Sequence, residues 1–268
     1  MMTYEMHAMT DIGIRRQHNE DCVVASSEYG FAVLADGMGG YNAGEVASAM
    51  AVEMIGKRLE DQMLNMSQAQ INIQTGFAEE SMLVRQSIEA ANEAIYTAAH
   101  AKAEYAGMGT TVLVAAFYGE HITAAHVGDS RMYRLRDNVL SHVTEDHSLV
   151  HEQVRRGLLT ADDARNSRIK NLVTRALGVE LGVEPDLLED MVKANDIYLL
   201  SSDGLTDVVS DEAISEILST HQSRLEKAGK LLIDMANKAG GPDNISVILI
   251  KVTPAKAKNG FFSRFLKK

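Results

Sequence analysis

Apolar runs of about five to eight residues, bounded by glycine, aspartate or asparagine, recur along the chain. Such runs read as strands. They are Cys22–Ser26, Phe31–Ala35, Thr110–Phe117, His121–Val127, Met132–Arg136, Ile197–Ser201 and Asn244–Val252, with weaker candidates at Tyr4–Met9, Leu172–Ala176 and Leu187–Val192. Helical stretches fall in pairs between groups of these runs. Ala43–Leu59 repeats apolar residues at Val46, Met50, Met54 and Ile55, and a second helix from roughly Glu80 to Glu104 lines up Ile88, Ala91, Ile95 and Ala99. Late helices fit Asp211–Ser219, with Asp211 as its cap, and Ser223–Ala239. Paired helices without regular strand–helix alternation predict a layered α+β fold and argue against a doubly wound one.

Composition narrows the function. The 268 residues are 46% hydrophobic and 24% charged, ordinary globular values that exclude general disorder. With 26 Lys+Arg against 37 Asp+Glu, the formal charge of −11 disfavours binding to nucleic-acid phosphates. The single cysteine, Cys22, allows no internal disulfide and no multi-cysteine zinc site. No apolar run approaches the roughly 18 residues that span a bilayer, and no signal peptide is visible, so a cytoplasmic protein is expected. With three prolines and no Gly/Ser/Pro-rich linker, residues 1–254 are expected to form a single domain. The polar stretch 146–178 reads as a helical surface insertion. Residues 255–268 carry Lys256, Lys258, Arg264, Lys267 and Lys268 with no acid, so the rest is more acidic than the total suggests.

The informative pattern is where the aspartates fall. Asp36 closes one apolar run and precedes Gly37-Met38-Gly39-Gly40; Asp129 follows another after Gly128. Asp203 follows a third and precedes Gly204; Asp243 and Asp21 immediately precede two more. Strand ends form the rim where loops gather and sites are built. Glycine beside a carboxylate lets the backbone approach closely enough for a carbonyl oxygen to join the ligands. An oxygen-only donor set suits Mg²⁺ or Mn²⁺. Spacing alone leaves the alternative of ordinary Asp-Gly turns open.

Other motifs carry less. The glycines at 37, 39, 40 and 44 lack both the Lys-Ser/Thr of a P-loop and G-x-G-x-x-G spacing. His147 and His151 share a helical spacing but have no third ligand in the H-E-x-x-H manner, so they read as a solvated pair. His126 reads as a satisfied core histidine, and Ser130 lacks the G-x-S-x-G setting of a nucleophile.

Taken in order, six runs resemble the metal-dependent protein phosphatases of the 2C type, the PPM family, in their bacterial form. They are Arg16-Gln-His-Asn19-Glu20-Asp21, Asp36-Gly37-Met38-Gly39-Gly40, Gly109-Thr110-Thr111, Val127-Gly128-Asp129-Ser130-Arg131, Ser202-Asp203-Gly204-Leu205 and Gly241-Pro242-Asp243-Asn244. Together they cover about residues 8–252. The resemblance implies a four-layer α-β-β-α sandwich: a central antiparallel β-sandwich flanked by helix pairs, with the metal site at one end.

It also implies roles. Asp36 would bridge two Mn²⁺ or Mg²⁺ ions, Asp203 and Asp243 would complete one site, and the Gly37 carbonyl would bind the other ion. Glu20 and Asp21 would act through metal-bound water or hydrogen bonds. Asp129, with Asp203, matches the positions for a third ion. Arg16 would grip the substrate phosphate, and 146–178 would be the flap. The implied activity is hydrolysis of phosphoserine and phosphothreonine on proteins, opposing a Hanks-type kinase, by a monomer. Family histidines proposed to protonate the leaving group fall at positions occupied here by Met38 and Tyr41. Two alternatives are a partner-switching phosphatase controlling a sigma factor, whose relatives usually carry sensor domains, and a silent pseudophosphatase, which the retained carboxylates and Arg16 argue against. In the tail, Phe261, Phe262, Phe265 and Leu266 share one face of a short helix beside basic residues, which suits membrane or partner docking, against the plainer reading of a frayed terminus.

Overall fold

The computed structural model describes residues 2–39, 43–66, 68–160, 163, 167, 169 and 172–255. Eleven strands are described: β1 (Met2–Asp11), β2 (Asp21–Ser26), β3 (Phe31–Met38), β4 (Gly109–Thr110), β5 (Val112–Tyr118), β6 (His121–Val127), β7 (Arg131–Arg136), β8 (Val139–His142), β9 (Asp186–Met191), β10 (Ile197–Ser201) and β11 (Ile245–Pro254). They form two antiparallel sheets, ordered β1-β11-β10-β7-β8 and β2-β3-β5-β6-β9, with β4 paired to β3. Helices α1 (Ala43–Gln62) and α2 (Glu79–Ala101) cover the second sheet. Two more, α5 (Asp211–Thr220) and α6 (Leu225–Lys238), cover the first. Shorter helices α3 (Leu149–Arg155) and α4 (Asp203–Thr206) stand near the rim. The fold is the expected α+β sandwich.

The unbroken apolar runs have a direct cause. Successive strand side chains point to opposite faces, and here both faces are covered. In β3, Phe31, Val33 and Ala35 pack beneath α1 and α2, while Ala32 and Leu34 enter the layer between the sheets. Strand β5 divides likewise, with Val112, Val114 and Ala116 toward the helices and Leu113, Ala115 and Phe117 toward the other sheet. In β11, Val247 and Leu249 meet α5 and α6, and Ile248 and Ile250 meet the inner layer. A one-residue slip would exchange these sets, so packing pins the register.

Several expectations need correction. The buried stripe of α1 is Ala47, Ala51, Ile55 and Leu59, whereas Met54 is exposed, because small residues let this helix approach its sheet closely. Residues 172–176 form no strand; Val173 makes only an isolated bridge to Ser148. The cap of α5 is Ser210, whose Oγ accepts from Ala213 N, while Asp211 Oδ1 accepts from the buried Tyr133 hydroxyl. Strand β8, short and largely solvent-facing, carries too weak a pattern to be expected. Among the described residues no helix is long and apolar enough to cross a membrane. Tyr41 and the tail residues 256–268, with Phe261, Phe262, Phe265 and Leu266, lie outside the described residues.

A candidate metal centre at one rim of the sandwich

Antiparallel pairing brings the aspartate-bearing strand ends to one rim. Asp21 opens β2 directly opposite Asp36 near the end of β3. The end of β6, before Asp129, pairs with the start of β5. In the other sheet the end of β10, before Asp203, lies against the start of β11, just after Asp243. Strand β1 ends at the same rim, since Asp11 pairs with Ile245, and the loop that follows carries Arg16 and Glu20.

Backbone contacts hold each carboxylate in place. The Asp36 carbonyl accepts from Thr111 N and Thr110 Oγ1, both at 2.8 Å, and Asp36 N donates to Thr111 Oγ1 at 3.1 Å. The clamp lies at Thr111, between β4 and β5, which both pair with β3. Gly37 is buried between two backbones, where a Cβ would lie 2.2 Å from Gly44 O and 2.6 Å from Glu20 O. Only glycine fits there. Gly204 is equally confined, since a Cβ would stand 1.9 Å from Asn244 O, so the turn carrying Asp203 is locked to the turn carrying Asp243.

Two residues with no role assigned from the sequence, Asn244 and Ser202, complete the frame. Asn244 accepts from Glu20 N at 2.8 Å and donates to Ile12 O and His18 O at 2.9 and 3.0 Å, so it fixes the loop of Arg16 and Glu20. Ser202 Oγ donates to Asp21 Oδ2 at 2.8 Å and accepts from Ser246 N at 2.9 Å. Asp243 Oδ2 receives Arg16 Nη2 at 2.6 Å, and Arg16 Nη1 stands 3.9 Å from Glu20. Ser202→Ala leaves Asp21 and the Ser246 N–H each short of a partner, at an expected cost of about 1–3 kcal/mol. Urea denaturation in EDTA checks this. The loss should be larger above pH 6, where Asp21 is ionised and the bond is charge-assisted.

The carboxylates disturb one another. Burial, with the charge of Asp243, pushes Asp21 up to about 6 despite bonds from Ser246, Ser202 and Asp36. Burial and Asp146 push Asp129 up to about 7, against the opposing pull of Arg131. Asp36 and Asp203 rise well above the usual carboxylate range; burial leads in both, followed by Asp21, Asp203, Asp129 and Asp243 around the first and Asp129, Asp207, Asp243 and Asp21 around the second. Glu20 is raised by burial, which outweighs Arg16. Asp21 Oδ1 and Asp203 Oδ1 are buried with no hydrogen-bond partner. Orphaned carboxylate oxygens in a group of like charges have the donor chemistry of a hard divalent cation site.

The sequence matches the family profile described as Protein phosphatase 2C over residues 13–238. The chain belongs to the protein phosphatase 2C family. It is 39% identical over 251 residues to the serine/threonine phosphatase stp of Listeria monocytogenes, covering 92% of this chain and 96% of the relative. It superposes on the crystal structure of the Mycobacterium tuberculosis serine/threonine phosphatase PstP with a TM-score of 0.83 at 34% identity, covering 94% of this chain and 100% of the other. A structure of the PstP catalytic domain in complex with two manganese ions gives a TM-score of 0.82 at 34% identity, with 95% and 100% covered. In this 2C-family chain all of the site residues expected from the sequence, Arg16, Glu20, Asp21, Asp36, Gly37, Asp129, Asp203 and Asp243, gather at the one rim.

The histidine expectations fare differently. His126 is buried and its Nε2 pairs with Glu145 O at 2.7 Å, so it is a satisfied core residue. His147 and His151 do not form a solvated pair. His147 is buried against His126, while half-buried His151 points to Glu145. The four-residue spacing fails because residue 147 precedes α3, outside the helical repeat.

Proposed function

We propose that this chain is a protein serine/threonine phosphatase that hydrolyses phosphoserine and phosphothreonine with two Mn²⁺ or Mg²⁺ ions. The observation that carries the reading is the group of mutually raised, partly orphaned carboxylates beside an exposed arginine, in a chain of the 2C family. Asp36 would bridge the ions, with Asp203 and Asp243 on one and the Gly37 carbonyl on the other. Asp129, with Asp203, would hold a third, and Glu20 and Asp21 would act through water or hydrogen bonds. Cations held there neutralise the attacking and leaving oxygens of a phosphoryl group and lower the pKa of water.

The chain's own residues supply the rest. Arg16 is nearly half exposed and points its fork at Asp243. Once the charge of Asp243 is taken up by a cation, that fork is free to meet a phosphate through two parallel bonds. Met38 carries no transferable proton, so the leaving-group proton does not come from that side chain. An alkyl leaving group needs protonation more than a phenolic one. Phosphoserine turnover should therefore lag behind that of an aryl phosphate.

The substrates we infer are phosphorylated proteins, among them targets of a Hanks-type kinase, acted on by a cytoplasmic monomer. A phosphopeptide panel with Mn²⁺ tests the substrate class: activity on phosphoserine and phosphothreonine is expected, and activity confined to phosphotyrosine refutes it. Arg16→Ala should raise KM by about tenfold or more with a smaller change in kcat, because it removes phosphate binding present before the transition state. Unchanged KM would remove Arg16 from substrate binding.

A further inference from the structure

His147 is joined to four parts of the molecule at once. Its backbone N donates to Gly128 O at 3.0 Å, and Gly128 N donates to its Nδ1 at 3.1 Å. Its carbonyl accepts from Thr174 N at 2.7 Å, on the return of the 146–178 segment. The ring stacks on His126 with centroids 4.5 Å apart. Its Nε2 lies 3.3 Å from Asp186 Oδ2 and also contacts Arg175, whose Nη1 reaches Asp186 Oδ1 at 2.9 Å.

His126, His147 and Asp186 each bring one ligand atom within 4.8 Å of the others, which by itself suggests a metal site. The neighbours of the ring decide against a cation on His147. Nδ1 already accepts from Gly128 N, which leaves only Nε2 to meet an ion. There the Arg175 guanidinium, a donor with a permanent positive charge, already contacts Nε2, so a cation would stand against it. Burial, His126 and Arg175 lower the pKa of His147 to about 4, in keeping with a neutral ring.

What the ring does instead is hold Gly128. That glycine has φ +116°, a conformation other residues rarely adopt, and a Cβ there would lie 2.6 Å from Thr111. Thr111 is also the clamp on Asp36. The next residue is Asp129, followed by Ser130, whose Oγ pairs with Thr111 Oγ1 at 2.9 Å. The two-way bond between His147 and Gly128 is thus the outer wall of the turn that presents Asp129 to the rim.

We propose that His147 is a positioning residue that fixes the Gly128–Asp129 turn so that Asp129 can hold a divalent cation. This rests on the reading that Asp129 binds such an ion. The side chain acts through Gly128 and touches no substrate.

The test is Mn²⁺ binding to the full chain, followed by the electron paramagnetic resonance of free Mn²⁺, in wild type, Asp129→Asn, His147→Leu and His147→Asn. Asp129→Asn should remove the weakest site and leave the tight ones. His147→Leu should weaken that same site by about tenfold or more, as loss of an outer-sphere partner does elsewhere. His147→Asn, whose Oδ1 can still accept from Gly128 N, should recover most of the loss. The inference is overturned if His147→Leu binds the weak ion like wild type, or if all sites and the melting temperature fall together in both His147 variants. If His147→Leu fails to fold, loss of the weak ion in a folded His147→Asn overturns it equally. A weak site that survives Asp129→Asn instead overturns the reading of Asp129, and the positioning role falls with it.

Discussion

Asp36→Asn lowers turnover of p-nitrophenyl phosphate in Mn²⁺ by at least about a thousandfold, the scale of losing an indispensable catalytic group. Its neighbours Asp21, Asp203, Asp129 and Asp243 all raise the cost of charge at this position. An amide keeps the shape of the carboxyl and removes that charge. In EDTA at pH 8 the variant should therefore unfold at higher urea than wild type. Lost activity with gained metal-free stability marks a residue retained for function at a structural cost. Wild-type activity in Asp36→Asn would sink the metal-centre assignment. Lost activity with lower stability in EDTA would instead point to a merely structural carboxylate.

The same residue shows how far the sequence carries. Asp36 was legible because it closes an apolar run before glycine, and antiparallel pairing then had to bring it to the rim where β2 begins with Asp21. The helix pairs and both sheets follow from equally local signals. Ser202, Thr111 and Asn244 were legible as motif members but not as the frame, because their partners are remote in the chain. Ser202 meets Asp21, and Asn244 meets Ile12 and His18 across the sandwich. On α1, Ile55 is buried and Val46 and Met50 pack partly against the core, but alanines, weak markers of an apolar face, make the closest contact and Met54 faces outward. The burial of His147 is not legible locally, because it comes from β6, from Asp186 at the start of β9 and from the return of the 146–178 segment.

Metal removal should expose the cost of this rim, with a definite pH dependence. In the unfolded chain aspartates titrate near about 4. In the folded chain burial and neighbouring charge push Asp21 up to about 6 and Asp129 up to about 7, and Asp36 and Asp203 are also raised well above the usual carboxylate range. Below about pH 4 these groups are protonated in both states and impose no charge penalty. As pH rises, the unfolded chain releases protons that the folded chain keeps, so the folded state binds more protons and its stability falls. The decline runs from about pH 4 through 6 for Asp21 and through 7 for Asp129, and Asp36 and Asp203 add to it in the same direction. Cations bind the ionised cluster and cancel the repulsion, so the Mn²⁺-dependent gain grows with pH. At about a hundred times its dissociation constant a single ion adds about 2.7 kcal/mol, or roughly 5–10 °C in a chain this size. Melting in EDTA and in Mn²⁺ from pH 5 to 8 measures the gap, and a gap that does not widen with pH contradicts this account. Hydrogen exchange locates the cause: without metal, amides of residues 12–21, 36–38, 202–206 and 241–244 should lose protection first, while β5, β6 and α2 keep theirs. Uniform loss across both sheets would mean that the carboxylates are not where the metal-free protein is strained.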